Sequence, residues 1–328
     1  VKPPDYMPGR AFLGPFASEP TRYLFGLRGR MDERYDLVRS VTDGRFVYIR
    51  NYMPHLPWGQ HVEYLFETPT TRAWKQLFDE GKLAPEQMYF WQVPKATEEL
   101  YDLAVDPDEV HNVAKDPAYK TKLEELRHVL RDHILQTRDL GFLPEDEIHS
   151  RAGDKAPYEY GQSDKYPLQS ILLMAELASD LDQDALDELR AGLKHEDSAV
   201  RYWAALGLLA RGEKAFASAA DDLRIALNNL APSVQVVAAW AMARYGNELD
   251  LRTALDLLAA RIDYDANGPY VALLALNAVD DLGIKAASLR DVVAQMNPKI
   301  QPQHGRLGEN LNKLKRHILG RFETGQER

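Results

Sequence analysis

The first half of the chain alternates apolar and polar residues on both sides of an Asp-Gly pair. In "DLVRSVTDGRFVYIRNY" the two flanking runs have the period of two that is typical of half-buried strands. Asp43-Gly44 suits a two-residue hairpin turn, which pairs Thr42 with Arg45. The pattern predicts two antiparallel strands joined at Asp43-Gly44.

A further strand and a long helix are predicted after this hairpin. Residues 99–103 read as a strand that runs into Asp106-Pro107, where the proline turns the chain. From Pro117 to about Arg138 the apolar residues recur at helical spacing, namely Leu123, Leu126, Leu130 and Ile134. The first half is therefore expected to be an α+β unit, a small antiparallel sheet with one covering helix.

The second half of the chain repeats itself. "SAVRYWAALGLLARG" (198–212) and "PSVQVVAAWAMARYG" (232–246) align with a shift of 34, and "PYVALLALNAVDDLG" (269–283) follows with a shift of 37. An amphipathic helix precedes each copy. Such helix pairs resemble HEAT-like repeats, which bury their apolar faces only by stacking. The sequence predicts an all-α HEAT-like domain, with 308–322 as a terminal cap helix.

Residue usage changes between the two halves. Aromatic residues, arginine and proline are frequent in the first, whereas alanine and leucine dominate the second. The polar, breaker-rich stretch between them is typical of a linker. The expected domains are 1–150 for the sheet unit, 151–165 for the linker and 166–328 for the helical repeats with their cap helix.

Composition narrows the function classes. The 328 residues are 45% hydrophobic and 27% charged, which is ordinary for a globular protein. The net charge of -10 argues against a nucleic-acid partner, and no apolar run reaches the roughly 18 residues of a membrane span. The absence of cysteine excludes disulfides and thiolate metal ligands.

One segment of the first half is rich in arginine and contains no lysine. Seven arginines fall within it: Arg22, Arg28, Arg30, Arg34, Arg39, Arg45 and Arg50. Their forked guanidinium groups suit recognition of carboxylate, phosphate or sulfate. The alternative interpretation is that they pair with carboxylates such as Asp32 and Asp36, or lie solvated on the sheet.

Neither metal binding nor nucleotide binding has a sequence pattern here. His128 and His133 are five residues apart on the predicted helix, so they cannot hold one metal ion as an i, i+4 pair would. The pairs Asp221-Asp222 and Asp280-Asp281 lie in predicted helices, and no phosphate-binding glycine motif occurs. We expect no metal site and no cofactor in this chain.

Several phrases of the first half resemble bacterial type I sulfatases. "RGRMDERYDLVRSVTDGRFVYIRNYMPHLPWGQ", "ELYDLAVDPDEVHNVA" and "TRDLGFLPE" are similar to the C-terminal portion of these enzymes, in the branch of heparan N-sulfatases. "MPGRAFLG" (7–14) resembles the segment that closes their catalytic domain. The resemblance covers about residues 1–150.

Ser18 in "SEPTR" looks at first like the nucleophile motif of that family. The family places this motif near the start of a large α/β domain, whereas here it follows the end of that domain. The L-T-G that should come next is replaced by Tyr23-Leu24-Phe25, and no base or oxyanion site is recognisable by spacing. We therefore predict that Ser18 is not catalytic and that this chain holds no catalytic residue.

The resemblance implies that the chain is the C-terminal part of a sulfatase and is inactive alone. The start at Val1, without an initiator methionine, favours the same interpretation. The parent would hydrolyse a sulfate ester or sulfamate, expected on a sulfated sugar, and its partner here is the missing N-terminal catalytic domain. That domain would carry the formylglycine nucleophile and the calcium ligands. Family analogy suggests a periplasmic or secreted location.

The sheet unit of these enzymes lies beside the active site, so its polar side chains can shape the substrate pocket. Forked cations and an aromatic face suit a polyanionic sugar. The candidate rim residues are Arg28, Arg30, Asp32, Arg50, Tyr52 and His55.

The competing hypothesis is a non-enzymatic scaffold. Solenoids of helical repeats commonly bind partners, so the repeats would hold a partner protein or mediate self-association, and the sheet would be a support. This hypothesis leaves the sulfatase-like phrases of the first half unexplained.

Overall fold

A computed structural model describes Lys2, Pro4 and residues 9–325 of the chain. Val1, together with Met7 and Pro8 of the "MPGRAFLG" segment, lies outside the described residues. The chain forms two compact units that alternate along the sequence. Unit 1 comprises Val1–Leu27, Arg39–Arg50 and Glu98–Arg131, and unit 2 comprises Arg28–Val38, Asn51–Thr97 and Asp132–Arg328.

The predicted small antiparallel sheet is confirmed. Within the described residues it has four strands in the order β1-β2-β3-β4: β1 (Leu24–Arg28), β2 (Val38–Thr42), β3 (Phe46–Asn51) and β4 (Glu98–Asp102). Strands β3 and β4 are antiparallel, with Phe46 opposite Asp102 and Arg50 opposite Glu98. Most of the sheet belongs to unit 1.

The hairpin turn lies one residue later than the sequence pattern predicts. The amide of Asp43 donates to the carbonyl of Phe46 at 3.3 Å, so the two central residues are Gly44 and Arg45. Asp43 instead caps the turn, because its Oδ1 accepts the amides of Arg45 and Phe46 at 3.0 and 2.8 Å. Gly44 has φ of +92°, which glycine adopts at little cost.

The long helix of the first half has the predicted buried face. Helix α4 (Lys120–Thr137) begins after a short 3₁₀ turn, and Leu123, Leu126, Leu130 and Ile134 are all buried. Within unit 1 its Arg127 forms two hydrogen bonds with Glu98 of β4, both of 2.8 Å. The predicted combination of sheet and helix is therefore present.

Unit 2 is mainly helical. Three short or medium helices, α1 (Glu63–Phe66), α2 (Pro69–Asp79) and α3 (Pro85–Met88), precede α4. The helices that follow α4 are α5 (Glu145–Ala152), α6 (Pro157–Gly161), α7 (Leu168–Asp180), α8 (Leu186–Gly192), α9 (Ser198–Ala210), α10 (Glu213–Ala226), α11 (Pro232–Tyr245), α12 (Glu248–Ile262), α13 (Tyr264–Leu282), α14 (Arg290–Gln295) and α15 (Gly305–Thr324).

Local signals explain where these helices begin. Asp197 caps α9 by accepting the amide of Ala199, and Pro232 occupies the first turn of α11, where no amide donor is needed. Helix α13 is interrupted at Gly268, whose φ of +75° breaks the helix just before Pro269. The third copy of the sequence repeat therefore starts at this break.

The helices of unit 2 pack in series. Helix α9 packs between α7 and α11, and α13 packs between α11 and α15. Their facing sides are built from alanine, valine and leucine, most of which are fully buried. This series forms one wall of the cavity described below. No helix in the described part of the chain is both long and apolar enough to cross a membrane.

Candidate functional site

Unit 2 contains a half-open cavity of about 1130 Å³. Its lining includes some residues of the segments 30–35, 53–61 and 143–146, and side chains of α2, α9, α11, α13 and α15. All of these residues belong to the same compact unit. Aromatic and apolar side chains are interleaved with charged ones along its wall.

A tight turn directs two arginines into this cavity. The amide of Met31 donates to the carbonyl of Arg34 at 2.7 Å, and the amide of Arg34 donates to the carbonyl of Met31 at 2.9 Å. Between them, the backbone of Asp32 is in the left-handed region, with φ of +47°. Aspartate tolerates this conformation better than most residues do. Arg30 and Arg34, on either side of the turn, both line the cavity.

Arg30 is held by a carboxylate from the start of α5. Its Nε donates to Oε1 of Glu145 at 2.7 Å, and its Nη2 donates to Oε2 of the same carboxylate. The guanidinium also lies 5.8 Å from the centre of the Tyr35 ring. Because this pair is bidentate, few N–H groups of the Arg30 guanidinium are left to bind another anion.

Asp280 is the centre of a buried ion cluster. Its carboxylate lies 2.8 Å from Nη2 of Arg34, 2.8 Å from Nη1 of Arg321 and 3.4 Å from Nε2 of His317. Burial alone would raise the pKa of Asp280, but the charges and hydrogen bonds of these groups outweigh it and hold the pKa well below its usual range. The carboxylate therefore stays ionised at neutral pH.

Two histidines stack beside that cluster. The rings of His61 and His317 are 3.6 Å apart and nearly parallel, at 15°. Burial first, and then the neighbouring His317 and Arg34, lower the pKa of His61 to about 3. His61 is therefore neutral at physiological pH, and the cluster gains no further positive charge from it.

Two polar groups of the cavity wall form no hydrogen bond with any other described residue, and the carboxyl group of the first accepts only its own amide. They are the carboxyl group of Asp146, in the first turn of α5, and the hydroxyl group of Tyr202, on α9. Tyr202 is only 4% exposed. Burial raises the pKa of Tyr202 well above its usual value, and the electrostatic effects of Tyr35, Glu145 and Asp146 add to it.

The structure brings two of the six candidate rim residues into the cavity lining. These are Arg30 and His55, whose ring lies 5.6 Å from that of Trp240. The remaining four lie elsewhere. Arg28 donates to the carbonyl of Trp58, Asp32 accepts from Lys313, Arg50 is buried in β3, and Tyr52 packs its ring on Phe142.

Ion pairing accounts for most of the arginine-rich segment. Arg22, Arg28, Arg30, Arg34 and Arg45 each have a carboxylate within 4.0 Å. Only the partner of Arg28, Asp36, lies in the same segment. The other partners lie 57 or more residues away, so local sequence reasoning could not identify them.

Sequence reasoning missed the residues that the helices contribute to the cavity. Leu206, Trp240 and Asn277 occupy equivalent positions in the three repeat copies, and all three line the cavity. The repeat alignment therefore contained a signal for one face of the cavity. The alignment did not show which face of the helices lines the cavity.

Potential metal-ligating side chains are not clustered in the described residues. Among them, no group of three or more histidine, aspartate or glutamate side chains lies close enough together to hold a metal ion. Ser18 is exposed, and its amide bonds to the carbonyl of Ala11 at 3.0 Å.

Replacing Asp146 by asparagine should stabilise the protein at alkaline pH. Burial first, and then the charges of Glu147 and Glu145, raise the pKa of Asp146 from 3.8 to about 7. Because the folded state binds this proton more tightly, the cost of ionising Asp146 grows as the pH rises from about 4 to about 7. We expect D146N to gain about 1–2 kcal/mol at pH 8 and little at pH 4.

The measurement is the thermal midpoint of D146N and of the unmodified chain at both pH values. D154N, at an exposed position, is the control and should follow the unmodified chain. An equal gain for D146N at both pH values would contradict the raised pKa.

Comparisons with known proteins relate part of the chain to sulfatases, although no family model matches it. An ulvan-active sulfatase of Formosa agariphila is 40% identical over 147 residues, which are 45% of this chain and 25% of that protein. A second ulvan-active sulfatase of the same organism is 31% identical over 130 residues, 38% of this chain and 23% of that protein.

The name of a third relative specifies a different substrate. The Δ4,5-hexuronate-2-O-sulfatase of Bacteroides thetaiotaomicron is 34% identical over 86 residues, 26% of this chain and 16% of that protein. The chain thus matches a quarter or less of the length of these curated relatives. Over up to 45% of its length, this chain is similar to sulfatases.

Proposed function

We propose that this chain is the C-terminal part of a sulfatase that removes sulfate from a sugar, and that it is inactive alone. The observation that carries the proposal is the 40% identity over 147 residues to an ulvan-active sulfatase, of which the match covers 25%. The name of a further relative specifies a 2-O-sulfated hexuronate. The substrate class is therefore a sulfated sugar, and the nucleophile and calcium ligands belong to an upstream domain.

In this proposal the helical part of unit 2 is a HEAT-like domain that supports the wall of the cavity. Arg190 and Arg224 lie 34 residues apart, which equals the shift between the first two repeat copies. Each bonds at 2.8 Å to an aspartate of a later helix, Arg190 to Asp222 and Arg224 to Asp250. A recurrent link of this kind is expected of stacked repeats.

Within the cavity, Arg30 and His55 form part of the substrate rim in the complete enzyme. Arg30 acts there through its pair with Glu145, which fixes the start of α5 in the cavity wall. A direct substrate contact by Arg28, Asp32, Arg50 or Tyr52 stays a prediction.

The test compares sulfate release by the 328-residue chain and by the natural polypeptide from which it comes. The substrates are ulvan oligosaccharides and a Δ4,5-hexuronate 2-O-sulfate disaccharide. We expect release only by a natural polypeptide heavier than 37.2 kDa. Sulfate release by this chain alone would contradict its proposed inactivity. A natural mass of 37.2 kDa with a partner protein recovered on the repeats would favour the scaffold instead.

The rim assignment is tested in the complete enzyme with R30A and H55A. Both should lower turnover about tenfold or more, since misplacing a positioning group strongly affects the reaction. R22A is the control, because Arg22 is 75% exposed and pairs only with Glu125 among the described carboxylates. Unchanged turnover in both rim variants would contradict the rim role.

A further inference from the structure

We propose that the cavity of unit 2 is a binding site for an uncharged oligosaccharide, whose hydroxyl groups bond to Asp146 and Tyr202. Naming the ligand as a sugar rests on the proposed function. The preference for an uncharged ligand rests on the structure of the cavity. The site would hold the unsulfated units of a longer substrate.

The size and the walls of the cavity suit such a ligand. Its volume of about 1130 Å³ exceeds the ~300–1,000 Å³ of pockets that bind drug-sized molecules. Tyr35, Phe66, Trp240 and Tyr270 supply aromatic surface to the lining. Sugars present apolar C–H faces together with hydroxyl edges, so they match a wall of rings with a few polar groups between them.

The lysine and arginine side chains that line the cavity already have partners within the protein. Arg30 pairs with Glu145, and Arg34 and Arg321 pair with Asp280. The other lining cations are also held: Lys75 by Asp79, Arg316 by Glu63, and Arg72 by the carbonyls of Phe66 and Glu67.

A sulfate or carboxylate ligand that binds Arg30, Arg34 or Arg321 would have to displace a largely buried carboxylate partner. Breaking a buried ion pair leaves an uncompensated charge, which is costly. The lining also carries as many carboxylates as lysine and arginine side chains, so no positive excess attracts an anion. The charge arrangement therefore disfavours a sulfated unit beside these three arginines.

The polar groups that remain available suit hydroxyl ligands. The hydroxyl group of Tyr202 belongs to the cavity lining and forms no hydrogen bond with another described residue, so it is available to a ligand hydroxyl. The carboxyl group of Asp146 accepts the amide of its own residue. Its remaining lone pairs can accept hydrogen bonds from sugar hydroxyls when it is ionised, and it can donate one when protonated. The ionised carboxylate of Asp146 repels an anion, and the hydroxyl group of Tyr202 carries no charge.

The experiment titrates the 328-residue chain with neutral hexasaccharides of glucose, xylose and rhamnose, and with the same hexasaccharides after chemical sulfation. Saturation-transfer NMR and calorimetry detect binding. We expect at least one neutral hexasaccharide to bind, and its sulfated form to bind tenfold or more weakly.

Two variants locate the site, each with a matched control. D146A and Y202F should weaken binding of the neutral hexasaccharide fivefold or more, and circular dichroism verifies that each variant is folded. D154A and Y158F, at exposed positions, should leave the affinity unchanged.

Three outcomes would overturn the inference: no neutral hexasaccharide binds, the sulfated forms bind as well or better, or folded D146A and Y202F both retain full affinity. The assay needs no turnover, so its result is separable from that of the proposed function. A natural polypeptide that releases no sulfate would refute the sulfatase assignment while binding of a neutral sugar to this chain still stands.

Discussion

Replacing Asp280 by alanine should destabilise the protein by about 3–5 kcal/mol at pH 7, because it leaves buried cations without their counter-charge. The Asp280 side chain is 10% exposed, and those of Arg34 and Arg321 are 5% and 13% exposed. Arg34 also donates to the carbonyl of His61 and to Asn277. Losing Asp280 should therefore also weaken the link through Arg34 between α13 and the segment that carries His61.

The measurement is the free energy of unfolding from urea titrations of D280A and of the unmodified chain. D221A is the matched control, since Asp221 is 93% exposed and Arg224, its partner, keeps a second carboxylate in Asp250. We expect D221A to cost less than about 1 kcal/mol, as exposed ion pairs do. Similar losses in both variants would contradict the buried cluster.

The pH dependence of this cluster has a definite sign. The folded pKa of Asp280 is depressed below 3.8, so its stabilising contribution is complete above that value. It is lost only as the pH falls through the folded pKa, in strongly acidic solution. The deficit of D280A should therefore be constant from about pH 5 to pH 8 and should shrink in acid.

Features encoded by short-range patterns were predictable from the sequence. The hairpin, the buried face of α4 and the helices of the second half follow from periods of two and of about 3.6 residues. Even so, the hairpin turn lies one residue later than predicted, because the Asp43 side chain accepts hydrogen bonds from two amides of the turn. Propensity for a type of turn does not reveal which side chain will cap it.

The cavity was not predictable in the same way, because long-range pairing creates it. Arg30 was a candidate on account of its forked charge, but its carboxylate lies 115 residues away in Glu145. Tyr202 belongs to an apolar repeat and gave no chemical signal of its own. Only the arrangement of the helices in space shows that its hydroxyl faces a cavity.

Replacing Trp203 by alanine should also cost about 3–5 kcal/mol, the usual range for removing a buried tryptophan. Trp203 is 1% exposed, and its Nε1 donates to the carbonyl of Phe142 at 2.8 Å. Its ring lies 6.4 Å from each of the rings of Tyr52 and Phe142. The residue thus links α9 to two separate segments of unit 2.

W203F separates the two contributions of this residue. Phenylalanine retains most of the aromatic surface but cannot donate a hydrogen bond to the carbonyl of Phe142, so we expect a loss of about 1–3 kcal/mol. Y158A removes an aromatic side chain that is 72% exposed and serves as the control, with little expected change. If urea titration gives W203A and Y158A the same stability, Trp203 does not hold these segments together. A W203F loss equal to that of W203A would instead assign the whole effect to the hydrogen bond, because the aromatic surface would then contribute nothing.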